Sequence, residues 1–191
     1  MILFDSTADR SVIREYSGMG QTTSTDNVDD YLPAHIANYF LWKADQDRIE
    51  DMTPMKLMKL VYFAYAWYFA VFNKPLFQES IVAWKYGPVI PSIYHEFKRY
   101  GRKSISQFAV NFDPKTGEFS FPIVRNDDRT TLQVLEAVWS IYKRISGLDL
   151  SDITHEDKSP WKLAYEKGEN TVLDNEKIVA RAKEAIEKHL K

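Results

Sequence analysis

Four histidines are the first residues to test for chemistry: His35, His95, His155 and His189. No two fall on one helix at the three- or four-residue spacing that a metal would use. His155 and Ser159 lie four apart, but Ser159-Pro160 reads as a helix cap and first turn rather than a nucleophile. His95-Glu96 reads as the polar face of a short helix. Seven glycines are scattered, and none builds a phosphate-cradling loop. The absence of cysteine excludes a disulfide framework, zinc-finger ligand sets and thiol catalysis, and it fits a reducing compartment. Asp45, Asp47, Glu50 and Asp51 form an acidic link. They lack the ordered alternation and turn glycine of a calcium loop. The residues therefore point to a protein with no catalytic constellation, metal or cofactor.

Two features remain that could serve binding. Lys56 and Lys59 lie three apart in the first turns of a helix, where positive charge opposes the dipole. The simple expectation is that both heads reach solvent, with Glu50 or Asp51 as partners. The functional alternative is a small basic patch for an acidic partner. Basic and aromatic residues also interleave in Lys98-Arg99-Tyr100-Gly101-Arg102-Lys103, a local positive turn. The formal net charge is −2, which argues against nucleic acid or an anionic membrane as the main partner. Trp84, Tyr86 and Trp161 read as core or corner residues.

The element that must position all of this is the run Thr53 to Phe72. Thr53 suits an N-cap and Pro54 a first turn. From Leu60 to Phe72 every residue is apolar or aromatic. A helix apolar all round is a buried one, and this run is too short to cross a bilayer, which needs about 20 such residues. We read it as a central helix that other elements wrap. Aromatics make up 14% of the 191 residues, enough to supply the core of one domain.

Around it the pattern predicts a helix over 34–46 and a strand over 79–84. Gly87-Pro88 is read as a sharp turn. A helix over 92–100 is stopped by Gly101. Phe108, Val110 and Phe112, then Phe119, Phe121 and Ile123, alternate with polar residues about Asp113-Pro114-Lys115-Thr116-Gly117, which is hairpin chemistry. Asp127-Asp128 caps a helix to about Ser146, closed by Gly147. An irregular stretch follows, carrying Leu148, Leu150 and Ile153. Ser159 caps a short helix through Glu166. Asp174 caps a last one, with Ile178, Ala182, Ala185-Ile186 and Leu190 as its inner face. The fold class is mostly helical α+β: a central buried helix wrapped by four to five helices, with a small antiparallel sheet or hairpin.

Residues 1–32 differ in composition, being rich in Asp, Ser, Thr and Gly. We read them as an N-terminal extension, partly flexible, whose anchors would be Met1 to Phe4 and Val12-Ile13. Residues 33–191 form the domain proper. With no signal peptide and no membrane span in the sequence, the expectation is a soluble, cytoplasmic protein.

Thr53 through Gly101 resembles the Panacea domain family of SocA- and GepA-like antitoxins, long catalogued as a domain of unknown function. The resemblance rests on Lys56-Leu57-Met58-Lys59-Leu60, Tyr62, Ala66-Trp67, Lys74-Pro75-Leu76-Phe77, Glu79, the string Ala83-Trp84-Lys85-Tyr86-Gly87-Pro88-Val89-Ile90-Pro91, Tyr94, Phe97 and Tyr100-Gly101. Leu150, Thr154-His155 and Ser159-Pro160-Trp161 match as well. It covers roughly residues 34–190 and leaves 1–32 outside. It implies the antitoxin of a type II toxin–antitoxin system, often prophage-borne, that neutralises a cognate protein toxin by direct binding. The alternatives it implies are a proteolytic adaptor that delivers the toxin to a ClpXP-type protease, or a regulatory interaction protein. No enzymatic activity comes with it. The candidate partner contacts are Ile2, Phe4, Lys56, Lys59, Tyr86, Arg99 and Arg102, with 1–32 contributing to partner choice.

Overall fold

A computed structural model describes residues 31–112 and 114–189. The expected central helix is present as α2, Pro54–Phe72. Thr53 caps it by accepting from the Lys56 amide at 3.3 Å, and Pro54 takes the first position. Asn73 ends it in the left-handed conformation (φ 54°), its amide returning to Phe69 O. Asparagine tolerates that conformation better than most residues. Every residue from Lys56 to Tyr68 is buried, so the helix has no solvent face over more than three turns.

The other elements are placed by this rod. The first helix, α1 (Pro33–Gln46), precedes it. After it come strands β1 (Val82–Trp84) and β2 (Gly87–Val89), then α3 (Pro91–Phe97), which runs into a 3-10 turn at Lys98–Tyr100. Strands β3 (Asn111–Phe112) and β4 (Phe119–Ser120) form a second hairpin. Helices α4 (Arg129–Tyr142), α5 (Gly147–His155), α6 (Pro160–Tyr165) and α7 (Asn175–His189) complete the chain. Helix α2 touches α1, α3, α4, α5, α7 and β2, which makes it the common wall of the core. Phe63 stacks on Tyr142 of α4 with centroids 4.6 Å apart, and Tyr65 OH donates to Asn175 Oδ1 of α7 at 3.1 Å. Buried tyrosines need such partners for their hydroxyls.

The fold is mostly helical α+β, as the patterning implies. Among the described residues no helix is long and apolar enough to span a membrane. Three local expectations need correcting. Gly87-Pro88 is not the turn: Lys85 and Tyr86 turn, and Gly87 pairs with Trp84 as a strand residue. The helix expected to run to Ser146 stops at Tyr142, and Ser146 instead caps the next helix by accepting from the Asp149 amide at 3.2 Å. The irregular stretch after Gly147 is therefore a helix, and Gly147 opens it. The physical reason is a close approach: a Cβ on Gly147 would lie 2.9 Å from the Lys56 amide nitrogen. Glycine there lets α5 sit directly on the backbone of α2.

Tyr31 belongs with the body. Its hydroxyl donates to Asp128 Oδ2 at 2.9 Å and accepts from the Arg125 amide at 3.3 Å. Met1 to Phe4, Val12-Ile13 and Leu190 lie outside the described residues.

Gly147→Ala should be destabilising by about 1–3 kcal/mol, because it forces backbone apart rather than a flexible side chain. A urea titration followed by circular dichroism measures it, and an unchanged midpoint would show that the two helices are not locked at this point.

Candidate functional site

The two specific strings of the sequence, Trp84 to Pro91 and Thr154 to Trp161, meet in one corner against α2. The β1–β2 register is Val82↔Val89, Ala83↔Pro88 and Trp84↔Gly87. A further segment joins the outer side of β1: the Ala83 amide donates to Thr171 O, the Asn170 amide to Ala83 O and the Leu173 amide to Ile81 O. Trp84 Nε1 donates to Asn170 Oδ1 at 2.6 Å, which ties the same two segments by side chain.

The carbonyls of the hairpin tip are gripped from three helices. Trp161 Nε1 of α6 donates to Trp84 O at 2.8 Å. His155 Nε2 of α5 stands 3.4 Å from Lys85 O. Ser151 Oγ of α5 donates to Tyr86 O at 3.0 Å. Lys59 Nζ of α2 donates to Tyr86 O at 2.6 Å and to Pro88 O at 3.2 Å. Two supports hold these side chains in place. His155 Nδ1 lies 2.5 Å from Ser151 O, and its ring meets Trp161 at 3.7 Å between centroids. Trp161 in turn stacks on Tyr165 at 5.0 Å. Ser159 is a helix cap, accepting from the Lys162 amide at 3.1 Å, as its place before Pro160 predicts.

Lys56 and Lys59 do not reach solvent, contrary to the expectation from their spacing. They are 0% and 2% exposed. Lys56 points into the junction with the end of α4 and Lys59 against the β1–β2 hairpin, and both donate to main-chain carbonyls there. Lys56 Nζ donates to Asp51 Oδ1 at 2.6 Å and to Lys143 O at 2.8 Å, so the anticipated Asp51 pair forms, with the lysine buried and the carboxylate exposed at the rim. Lys59 makes no ion pair among the described residues, and burial pushes its pKa down to about 7. They are not a surface patch.

Gly87 completes the corner. Its φ of +104° is a conformation that side-chain-bearing residues rarely adopt, and an added Cβ would sit 2.3 Å from Lys59 Nζ and 2.8 Å from Thr154 Oγ1. Gly87 is the residue that allows a lysine head to lie against the strand. What the corner shows to solvent is Lys85 and Tyr86. Tyr86 is 61% exposed, and Lys85 Nζ lies 5.4 Å from its ring centroid. Tyr86 is thus a structural residue through its carbonyl and a display residue through its ring.

Of the remaining candidate contacts, Arg99 and Arg102 are exposed on the turn after α3. Arg99 Nη2 donates to Gln107 Oε1 at 3.1 Å. Trp84 meets Tyr94 of α3 edge-on at 4.7 Å, and Lys98 Nζ lies 6.0 Å from the Tyr94 ring. Trp84 and the basic turn thus share Tyr94 as a neighbour, the Tyr86 ring stands with Lys85, and Lys56 and Lys59 are buried apart from both. Ile2 and Phe4 lie outside the described residues. Sequence reasoning missed Ser151 and Asn38. Ser151 is four residues before His155 on α5, a spacing visible only once that stretch is read as a helix. Asn38 is a buried amide on an apolar helix face, and that mismatch was the available signal.

A family model described as "Antitoxin SocA-like, Panacea domain" matches residues 57–162, which contain Lys59, the hairpin, Ser151, His155 and Trp161. The chain belongs to the SocA-like Panacea family. A curated relative, "Antitoxin SocA" of Caulobacter vibrioides (strain NA1000 / CB15N), is 30% identical over 126 residues. That alignment spans 66% of this chain and 66% of the relative, just under two thirds of each. No solved structure matches. Within this Panacea domain the matching strings hold the clamp together, so family likeness at these positions first of all preserves a fold.

Two outcomes follow from the clamp. With the folded pKa of Lys59 near 7 and an unfolded value about 10.4, the unfolded chain holds a proton that the folded one has lost between those limits. Stability should therefore rise with pH across that window, by up to about 1.4 kcal/mol per unit. The rise ends near pH 10, where burial keeps the Tyr142 hydroxyl protonated up to about 12 and stability turns down. Urea midpoints at pH 7, 8 and 9 should climb in the wild type and lie flatter in Lys59→Met; parallel slopes would exclude a titrating lysine. Gly87→Ala should cost roughly 1–3 kcal/mol from backbone strain alone, seen as a lowered thermal midpoint. A neutral result would mean that the strand can rotate away from Lys59.

Proposed function

We propose that this chain is an antitoxin that neutralises a cognate protein toxin by direct binding in the cytoplasm, as one half of a type II pair. Its kinship with Antitoxin SocA supports an antitoxin-like role. The observation that carries the binding reading is how the polar groups around the hairpin are used. Lys59, Ser151 and Trp161 all donate to main-chain carbonyls of one hairpin, and His155 stands against another. Their chemistry goes into holding a shape. That shape presents Tyr86, an exposed aromatic of the kind enriched in protein interfaces, with Lys85 beside it.

In this reading Tyr86, Arg99 and Arg102 are toxin contacts, and residues 1–32, through Ile2 and Phe4, help to choose the partner. Occlusion and delivery to a ClpXP-type protease are distinguished by toxin half-life. Masking leaves it unchanged when the protease is deleted, whereas delivery lengthens it.

The test is co-expression with the product of the adjacent gene. Growth should be restored by the wild-type chain. Tyr86→Ala should weaken the purified complex by roughly tenfold or more while leaving the thermal midpoint unchanged. Growth that is equal with and without this chain would overturn the proposal.

A further inference from the structure

The surface beyond the clamp carries two features that the fold does not use. The first is charge. Lys98, Arg99, Arg102 and Lys103 are all exposed, and none makes an ion pair among the described residues. Some cations elsewhere are matched from within, buried Lys43 by Glu136, Lys143 by Asp47 and Arg181 by Glu156, and no other six-residue stretch among the described residues gathers four exposed cations without an ion pair. Four unmatched positive charges within six residues repel one another and lower the stability of the free protein slightly. An acidic surface laid over them removes that repulsion.

The second feature is a projecting aromatic hairpin. Phe112 and Phe119 face each other across β3 and β4 with centroids 4.9 Å apart, yet they are 55% and 71% exposed. Phe121 and Val110 are exposed beside them. Such rings usually turn inward. The hairpin is not loose, because its base is pinned to α1. Asn38 Nδ2 donates to Ala109 O and Pro122 O, each at 3.0 Å, and Asn38 Oδ1 accepts from the Ala109 amide at 2.8 Å. One buried amide therefore holds both strands where they leave the body.

The two features are neighbours. Gln107 Oε1 accepts from Arg99 Nη2 and from Tyr100 OH at 3.4 Å, and the next residue, Phe108, meets Phe121 edge-on at 6.3 Å. We propose that the Lys98–Lys103 turn and the Phe112–Phe119 hairpin form one docking face for a protein partner that presents an acidic surface bordering an apolar cleft. This inference rests on the antitoxin reading and names the chemistry of the toxin's bound face. The rings enter the cleft and supply affinity by burial, while the cations steer approach and set orientation. A protein fits better than a nucleic acid. The cations are confined to one turn rather than tracking along a groove, and the exposed rings pack on each other instead of standing apart to accept bases.

The experiment measures binding of three probes by fluorescence anisotropy: the purified product of the adjacent gene, a single-stranded oligothymidylate, and a labelled copy of this chain. The variants are Phe119→Ser, the pair Arg99→Glu and Arg102→Glu, and Lys188→Glu on α7 as a control. All change exposed residues, so melting curves should be unaffected. We expect the gene product to bind roughly tenfold or more weakly to Phe119→Ser and to the charge-reversed pair, and normally to the control. Its wild-type affinity should fall as ionic strength rises from about 0.05 M to about 0.3 M. Equal binding by every variant overturns this face while leaving the antitoxin reading intact. Failure of the wild type to bind the gene product overturns both. Variant-sensitive binding of the oligothymidylate or of the second copy, in place of the gene product, overturns the assignment to an acidic protein.

Discussion

A lysine amine nearly stripped of water, bonded to two main-chain oxygens, is the constraint from which the rest of this structure follows. Lys59 can lie where it does only because Tyr86 O and Pro88 O stand within reach. Those oxygens stand there only because Gly87 carries no side chain. An uncompensated amine in that position would carry the large penalty of a buried polar group. The hairpin, in turn, could not leave its carbonyls unpaired in an interior position. Lysine and hairpin are thus mutually required, and α5 and α6 close over the pair with Ser151, His155 and Trp161.

Lys56, one turn earlier, shows how differently the same helix treats two like residues. It faces the junction with Asp51 and the end of α4, and a carboxylate stands 2.6 Å away. Its neighbour Lys59 has no carboxylate partner among the described residues, and burial pushes its pKa down. The acidic link between α1 and α2 serves a similar structural end at Asp47. Burial alone would raise that carboxyl, but hydrogen bonds from Lys143 and Trp139, with Lys43 nearby, hold it below its ordinary value. Charges that look like surface features in the sequence are here the bolts between α1, α2 and α4.

What could be read in advance was set by local rules. Thr53-Pro54, Asp128 and Ser159-Pro160 cap helices because capping needs only the residue and its next few neighbours. The all-apolar run after Leu60 declared its own burial. What could not be read depended on distant segments. Lys56 and Lys59 looked like solvent-seeking residues because nothing local reveals that Asp51, Lys143 O and the hairpin carbonyls will converge on them. Gly147 looked like a stop because glycine often ends helices. It opens one here for the sake of α2, which lies about ninety residues away in the chain. Gly87-Pro88 looked like a turn because the pair commonly is one, and only the register with Ala83 and Trp84 moves the bend back to Lys85 and Tyr86. The Panacea likeness located the strings, but it could not tell a clamp residue from a contact residue; the direction of each side chain did.

The single amide of Asn38 has an evolutionary corollary. Because both strands of the outer hairpin are fastened where they emerge, residues between those fastenings are free to drift in length and identity without loosening the body. Such an arrangement uncouples innovation from foldedness. A lineage could exchange the protruding loop for another and keep the same chassis, much as a handle accepts interchangeable blades.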